Sequence, residues 1–171
     1  MQLPSAAPGF DEPLLMLRAC HTRILKQCET LQRLAWHLQQ GGPDDDARDA
    51  ASNIYRYFST AGIHHHMDEE EDLFPILLET SPELTQMIRA LRQDHQEMER
   101  LWAQLAPLLA DVDSIGDRQE FARTAAHFQA IYIAHIEREN NDVLPAAQHQ
   151  LLPDQLKKLG LNMARRRGVT L

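Results

Sequence analysis

The chain has 171 residues, and 17 Lys and Arg against 25 Asp and Glu give it a formal charge of −8. That length suits one ordinary domain with a substantial core, and the acidic balance argues against a nucleic-acid-binding surface while leaving cation binding open. The N-terminus has neither the charged start nor the apolar core of a signal peptide, and no apolar run reaches membrane-spanning length, so a cytoplasmic protein without a membrane partner is expected.

Residues 1–10, with Pro4, Pro8 and Gly9, read as a flexible leader. Asp11-Glu12-Pro13 then starts a first helix over about 12–40. Leu14, Leu17, Ile24, Leu25, Leu31, Leu34 and Leu38 recur at threes and fours as a core-facing stripe does, and His21 falls within that stripe. Cys20 and Cys28 lie eight apart on this helix, roughly 12 Å along its axis and too far to bridge, so two buried or half-buried thiols are expected. Gly41-Gly42-Pro43 ends the helix, and Asp44-Asp45-Asp46 caps the next.

The second helix is expected to run unbroken over about 45–79, with Ile54, Tyr55, Phe58, Gly62, His65, Glu69, Leu73 and Ile76 on one face. Pro75 stands inside that pattern and predicts a bend or a loosened turn. Ser81-Pro82-Glu83 opens a third helix over about 82–110 that carries Leu84, Ile88, Leu91, His95, Met98, Leu101 and Leu105, with Pro107 bending or fraying its end. A polar turn follows, then a fourth helix to about 147 that aligns Phe121, Ala125, Phe128, Tyr132, His135 and Glu139. A short helix over about 153–166 covers one end, and Arg165-Arg166-Arg167 reads as a solvated helix end. The fold class is all-α. Residues 11–150 form an antiparallel up-down-up-down four-helix bundle, and residues 151–171 add a short C-terminal helix and tail.

The chemistry is carried by a repeat. His-x-x-x-Glu followed after five residues by Pro occurs at His65, Glu69 and Pro75 and again at His135, Glu139 and Pro145. Residues four apart share a helix face, so each copy aims an imidazole and a carboxylate at one point, and two such helices face to face would hold two metal ions. His64/Asp68 and His66/Glu70 have the same spacing. The former lies on a polar face and reads as solvated, the latter competes on an apolar face, and the register of the repeat against proline selects His65/Glu69. Of nine histidines, His37 and His149 fall near helix ends and His127 off the stripe, whereas His21, His65, His95 and His135 stand one per helix inside apolar stripes. Burying Glu69 and Glu139 unpaired would cost on the order of several kcal/mol per ion, and no Lys or Arg shares their stripes. A metal would neutralise them. Glu-x-x-His, the signature of ferritin-like di-iron bundles, does not occur.

His-His-x-x-Glu-Glu-x-x-Leu-Phe-Pro from His65, with a later His-x-x-x-Glu-Asn and single histidines on the other two helices, resembles the hemerythrin-like, or HHE cation-binding, family over residues 11–150. The resemblance implies a cofactor of two iron ions, oxo- or hydroxo-bridged. His21, His65, His95 and His135 would be terminal ligands, and Glu69 and Glu139 bridging carboxylates. It further implies O2 or NO as a small ligand that is bound or sensed. Oxygen-carrying members have a fifth histidine four residues before the third-helix ligand; Leu91 stands there, so this set is closer to the iron-sulfur-cluster repair members implicated in nitrosative stress. A repair factor, an iron donor or an NO- or peroxide-reducing enzyme is therefore the alternative to gas binding without turnover, and the reading leans away from an enzyme. Zinc or manganese could substitute, because N and O donors do not by themselves select iron. Glu99 could add a ligand and Tyr132 a hydrogen bond, and Trp36 and Trp102 are assigned to packing or bundle ends. A monomer or homodimer is expected.

Overall fold

Helix α1 (Pro13–Gln40) begins with proline at its first position and ends where Gly42 takes φ +85°, a left-handed conformation that glycine adopts without steric cost. The structure, a computed structural model, describes residues 8–170; most of the expected leader, residues 1–7, lies outside them. α2 (Asp45–Phe58) is capped as expected, the Asp44 carboxylate accepting from the Ala47 N–H at 2.9 Å.

The second arm is not one unbroken helix. It stops at Phe58 and restarts as α3 (Ala61–Met67), with Thr60 at φ −132°, ψ −79°. Ser59-Thr60 supplies the break: the Thr60 hydroxyl donates to the Arg56 carbonyl at 2.7 Å, a side-chain bond that competes with the backbone ladder. Tyr55, placed on the core face by spacing, is exposed, while its α2 neighbours Ile54 and Phe58 are buried.

α3 continues into a π-helical turn, Asp68–Leu73, and then into α4 (Phe74–Thr80). Pro75 explains the loosened turn. It has no N–H, and its ring would clash with the Glu71 carbonyl, so the ladder shifts to i→i−5 and the Phe74 N–H donates to the Glu69 carbonyl. A 3-10 turn, Pro82–Leu84, precedes α5 (Thr85–Ala110). Ser81 does not cap it as expected; its hydroxyl donates to the Gln150 side chain instead. Pro107 is accommodated inside α5. α6 (Arg118–Arg138), capped by Asp117, repeats the pattern of the second arm: a π turn, Glu139–Val143, leads into α7 (Leu144–Gln150), and the Leu144 N–H donates to the Glu139 carbonyl one residue before Pro145. α8 (Pro153–Arg166) closes the chain.

No strand occurs among the described residues, and the helices pack as a bundle: α1 lies against α6 and α2, and α5 lies against the same two. Among the described residues no helix is long and apolar enough to cross a membrane. The interior has two apolar cores. One gathers Ile24, Phe58, Met98, Phe121, Phe128 and Ile136, the other Leu17, Leu73, Phe74, Leu91, Val143 and Met163. On α1 the change from one core to the other falls at His21, between Leu17 and Ile24; on α5 it falls at His95, between Leu91 and Met98. A polar layer thus separates the two cores.

Candidate metal centre

His21, His65, Glu69, His95, His135 and Glu139 all meet in that layer, each no more than 3% exposed. They form two four-residue sets, His21/His65/Glu69/Glu139 and His95/His135/Glu69/Glu139, each offering one donor atom per residue with all four atoms within 4.8 Å. Both carboxylates belong to both sets. Glu69 directs Oε1 at His65 Nε2 (3.1 Å) and His21 Nε2 (3.6 Å) and Oε2 at His95 Nε2 (3.4 Å). Glu139 directs Oε2 at His21 Nε2 and Oε1 at His135 Nε2, both at 3.1 Å. The i,i+4 spacing of each pair does this locally, since each histidine precedes its π turn and each glutamate stands at the first or second position of it.

The donor atoms are poorly satisfied by one another. His21 Nε2, Glu69 Oε2 and both Glu139 oxygens are buried without a hydrogen-bond partner among the described residues. His95 Nε2 and His135 Nε2 face each other at 3.1 Å, where one must carry a proton if no cation lies between them. Two imidazole nitrogens and two carboxylate oxygens per set, all convergent and buried, suit a divalent first-row metal. The residues fit two ions sharing two carboxylates.

Protons stand in for those cations in the electrostatics. Burial alone would lower the imidazole pKa values, but the facing carboxylates of Glu139 and Glu69 raise His21 to about 9, and those of Glu69 and Glu70 raise His95 to about 9. His65 is pushed well above its usual value and His135 upward as well, against burial, chiefly by the charges of Glu69 and Glu139 respectively. Glu69 is held well below the carboxylate range despite burial, because His65, His21 and His95 surround it. Glu139 is lowered too, although burial and the Glu69 charge oppose it, by His135 and His21.

Three of the four rings are oriented through their second nitrogen. His21 Nδ1 meets Asn140 Oδ1 at 2.9 Å, His95 Nδ1 meets Glu70 Oε1 at 2.8 Å, and His135 Nδ1 meets Asp94 Oδ2 at 3.1 Å. Such partners fix the tautomer that presents Nε2 to a metal. Arg92 donates to Glu70 at 2.7 Å, and Arg138 donates to Asp94. These roles are invisible to helical periodicity, because each joins different helices. The signals that existed were the Asn140 of the motif and the acid immediately before His95.

The remaining candidates separate cleanly. His66 and Glu70, competitors on spacing, do not converge on the cluster: Glu70 orients His95, and His66 stacks on His95 with ring centroids 4.1 Å apart. Burial, then the positive rings around it, hold the His66 pKa well below its usual value. Its Nε2 lies 3.2 Å from the Tyr132 hydroxyl, within hydrogen-bond distance. Tyr132 is otherwise core. Glu99 is exposed and outside the cluster; His127 and His149 are exposed and His37, half-buried, meets the Asp44 carboxylate; Trp36 is exposed and Trp102 packs on Phe58 and Phe128. Cys20 and Cys28 are buried free thiols. Gly62 is buried, and a Cβ there would lie 3.2 Å from Phe58 Cδ1, so its tight neighbour is the end of α2, on its own arm of the bundle.

Two expectations fail together. Asp68, assigned to solvent with His64, is fully buried, and the basic run at the C-terminus, assigned to a solvated end, supplies its partners: Arg166 Nη1 and Arg167 Nη2 each donate to it at 2.7 Å. The pairing joins residues 98 and 99 positions apart, so neither local pattern announces it.

The family model described as hemerythrin HHE cation-binding domain matches residues 13–147. An uncharacterized protein of Haemophilus influenzae is 28% identical over 166 residues, covering 97% of this chain and 96% of its own length.

Proposed function

The chain belongs to the hemerythrin HHE cation-binding family, and on that premise we propose that it is a non-haem di-iron protein that binds or senses O2 or NO. His21 and His65 would hold one ion, His95 and His135 the other, and Glu69 and Glu139 would bridge them. The observation that carries this reading is the sharing of both carboxylates, one oxygen toward each histidine pair. Two iron ions would supply redox-active positions at which a diatomic gas can be held.

The surroundings support a small uncharged ligand. A cavity of about 230 Å³ with a mainly apolar lining, including Phe58, Gly62, Met98, Trp102, Phe128 and Tyr132, reaches His66 beside His95. Trp102 and Phe128 line its apolar side, and its hydrogen-bonding groups beside the cluster are Glu70, which bonds His95 Nδ1, and the Tyr132–His66 pair. The up-down-up-down order belongs to the same reading. Arg118 at the start of α6 donates to the Leu38 carbonyl near the end of α1, while Arg18 near the start of α1 donates to the Asn140 carbonyl beyond the end of α6.

Leu91 favours a second reading in which the centre turns over NO or peroxide or donates iron for cluster repair. It stands one turn before His95, is fully buried and packs in the apolar core, so no side chain of that turn closes the His95 side. The experiment is metal analysis of protein purified without added metal or chelator, with absorption spectra before and after anaerobic reduction and re-exposure to air. About two irons per chain and near-ultraviolet bands that bleach on reduction are expected. Zinc alone, or no metal in protein that also refuses ferrous iron, would remove the function while leaving the bundle. Repeated consumption of NO or peroxide would select the second reading.

A further inference from the structure

The family match ends at residue 147, before α8, yet α8 reaches the turn that carries Glu69. Arg166 Nη2 lies 2.9 Å from Glu71 Oε2 and 2.5 Å from Asp72 Oδ2, besides its bond to Asp68, and Asn162 Nδ2 donates to Asp72 Oδ1 at 2.6 Å. Three acids of the six-residue π turn, Asp68, Glu71 and Asp72, are thus bound by α8, while the two between, Glu69 and Glu70, face the cluster. Asp68 has no exposed side-chain surface, and the two arginines are what pair its carboxylate.

The second copy of the repeat is built otherwise. The position matching Asp68, three residues after the histidine, is Arg138, which pairs with Asp94 and through it with His135. One turn has a cation on the residue just before it; the other borrows two from the end of α8 and its cap.

We propose that Arg166 and Arg167 are positioning residues that hold the Asp68–Leu73 turn in its metal-binding register, so that α8 governs how firmly the centre retains metal. This rests on the metal-binding reading above. Without the arginines Asp68 is a buried unpaired charge, and the turn relieves it by rolling the carboxylate outward. Glu69 and Glu70 are the next two residues and move with it, so a shared carboxylate and the orienting partner of His95 are displaced together.

The test replaces both residues in the full chain, Arg166→Ala with Arg167→Ala, and compares it with wild type in two measurements. The first is the rate of chelator-driven metal release after anaerobic loading with ferrous iron, expected to rise about tenfold or more, as loss of supporting contacts around a metal site does. The second is residue-resolved hydrogen exchange of the metal-free protein. The Phe74 amide, bonded to the Glu69 carbonyl, is expected to exchange faster, and the Leu144 amide of the other turn to keep its rate. A paired Arg→Lys variant, which keeps the charge but loses the fork geometry, is expected to fall between. Unchanged release and exchange, or equal acceleration at both turns, overturns the proposal. If wild type takes up no iron, the metal reading fails and the exchange comparison alone decides the role of α8. Should the double variant not fold, Arg167→Ala, which leaves Arg166 on Asp68, provides the same comparison with a smaller expected shift.

Discussion

At the scale of single residues the centre is a set of donors whose own charges hold it together in the absence of metal. In the metal-free protein His21 and His95, raised to about 9, favour the folded state fully below pH 6.5, their value in an unfolded chain. That contribution disappears as pH climbs through about 9. Unfolding free energy of metal-free protein is therefore expected to decline across that window, and a flat or rising profile in urea titrations would contradict the imidazolium–carboxylate arrangement. Metal uptake should release protons over the same range. His65→Ala or Glu139→Ala is expected to leave less than about one ion per chain, whereas His37→Ala and His149→Ala, outside the cluster, should leave the content unchanged; full loading of the Glu139 variant would sink its bridging role. Asp94→Asn and Glu70→Gln keep every donor but weaken ring orientation, so roughly 10- to 100-fold lower affinity in chelator competition is expected.

Among the elements, the two π turns are the devices that reconcile a helix with a site. Each begins one residue before or at the shared glutamate and ends just before its proline. His65/Glu69 and His135/Glu139 keep ordinary helical spacing, while the extra residue turns Phe74 and Leu144 into the second core. α8 is seated by a close approach: a Cβ on Gly160 would collide with the Phe10 carbonyl, backbone that has little room to yield. Gly160→Ala should lower stability by about 1–3 kcal/mol, the usual cost of overpacking. Thermal melts read the loss, and an unchanged midpoint would show that the N-terminal segment does not pack against α8 as described.

For the whole molecule, the consequence is a stack of apolar core, polar layer and apolar core, with the layer's charges balanced by one another. Ions bound there add stability to the native state by mass action, so verified metal removal is expected to lower the melting midpoint. Equal midpoints with and without metal would argue against a buried site. The effect should be cooperative across the chain, because the layer joins α1, α3, α5 and α6 and not a peripheral loop.

Much of this was legible in one dimension, for a physical reason. Helical periodicity and i,i+4 spacing are properties of neighbouring residues, so the helical class, the stripes around His21, His65, His95 and His135, the paired Glu69 and Glu139, and the disturbance before Pro75 follow from local geometry. The unbroken second arm was wrong because a two-residue competition at Ser59-Thr60 outweighs a long apolar pattern. What only the tertiary structure decided is which polar groups meet across helices. Asn140, Glu70 and Asp94 orient rings on other elements, and Asp68 is buried because Arg166 and Arg167, nearly a hundred residues away, reach it. Sequence spacing fixes where a side chain points along its own helix, but the partner it finds there depends on packing that no single helix contains.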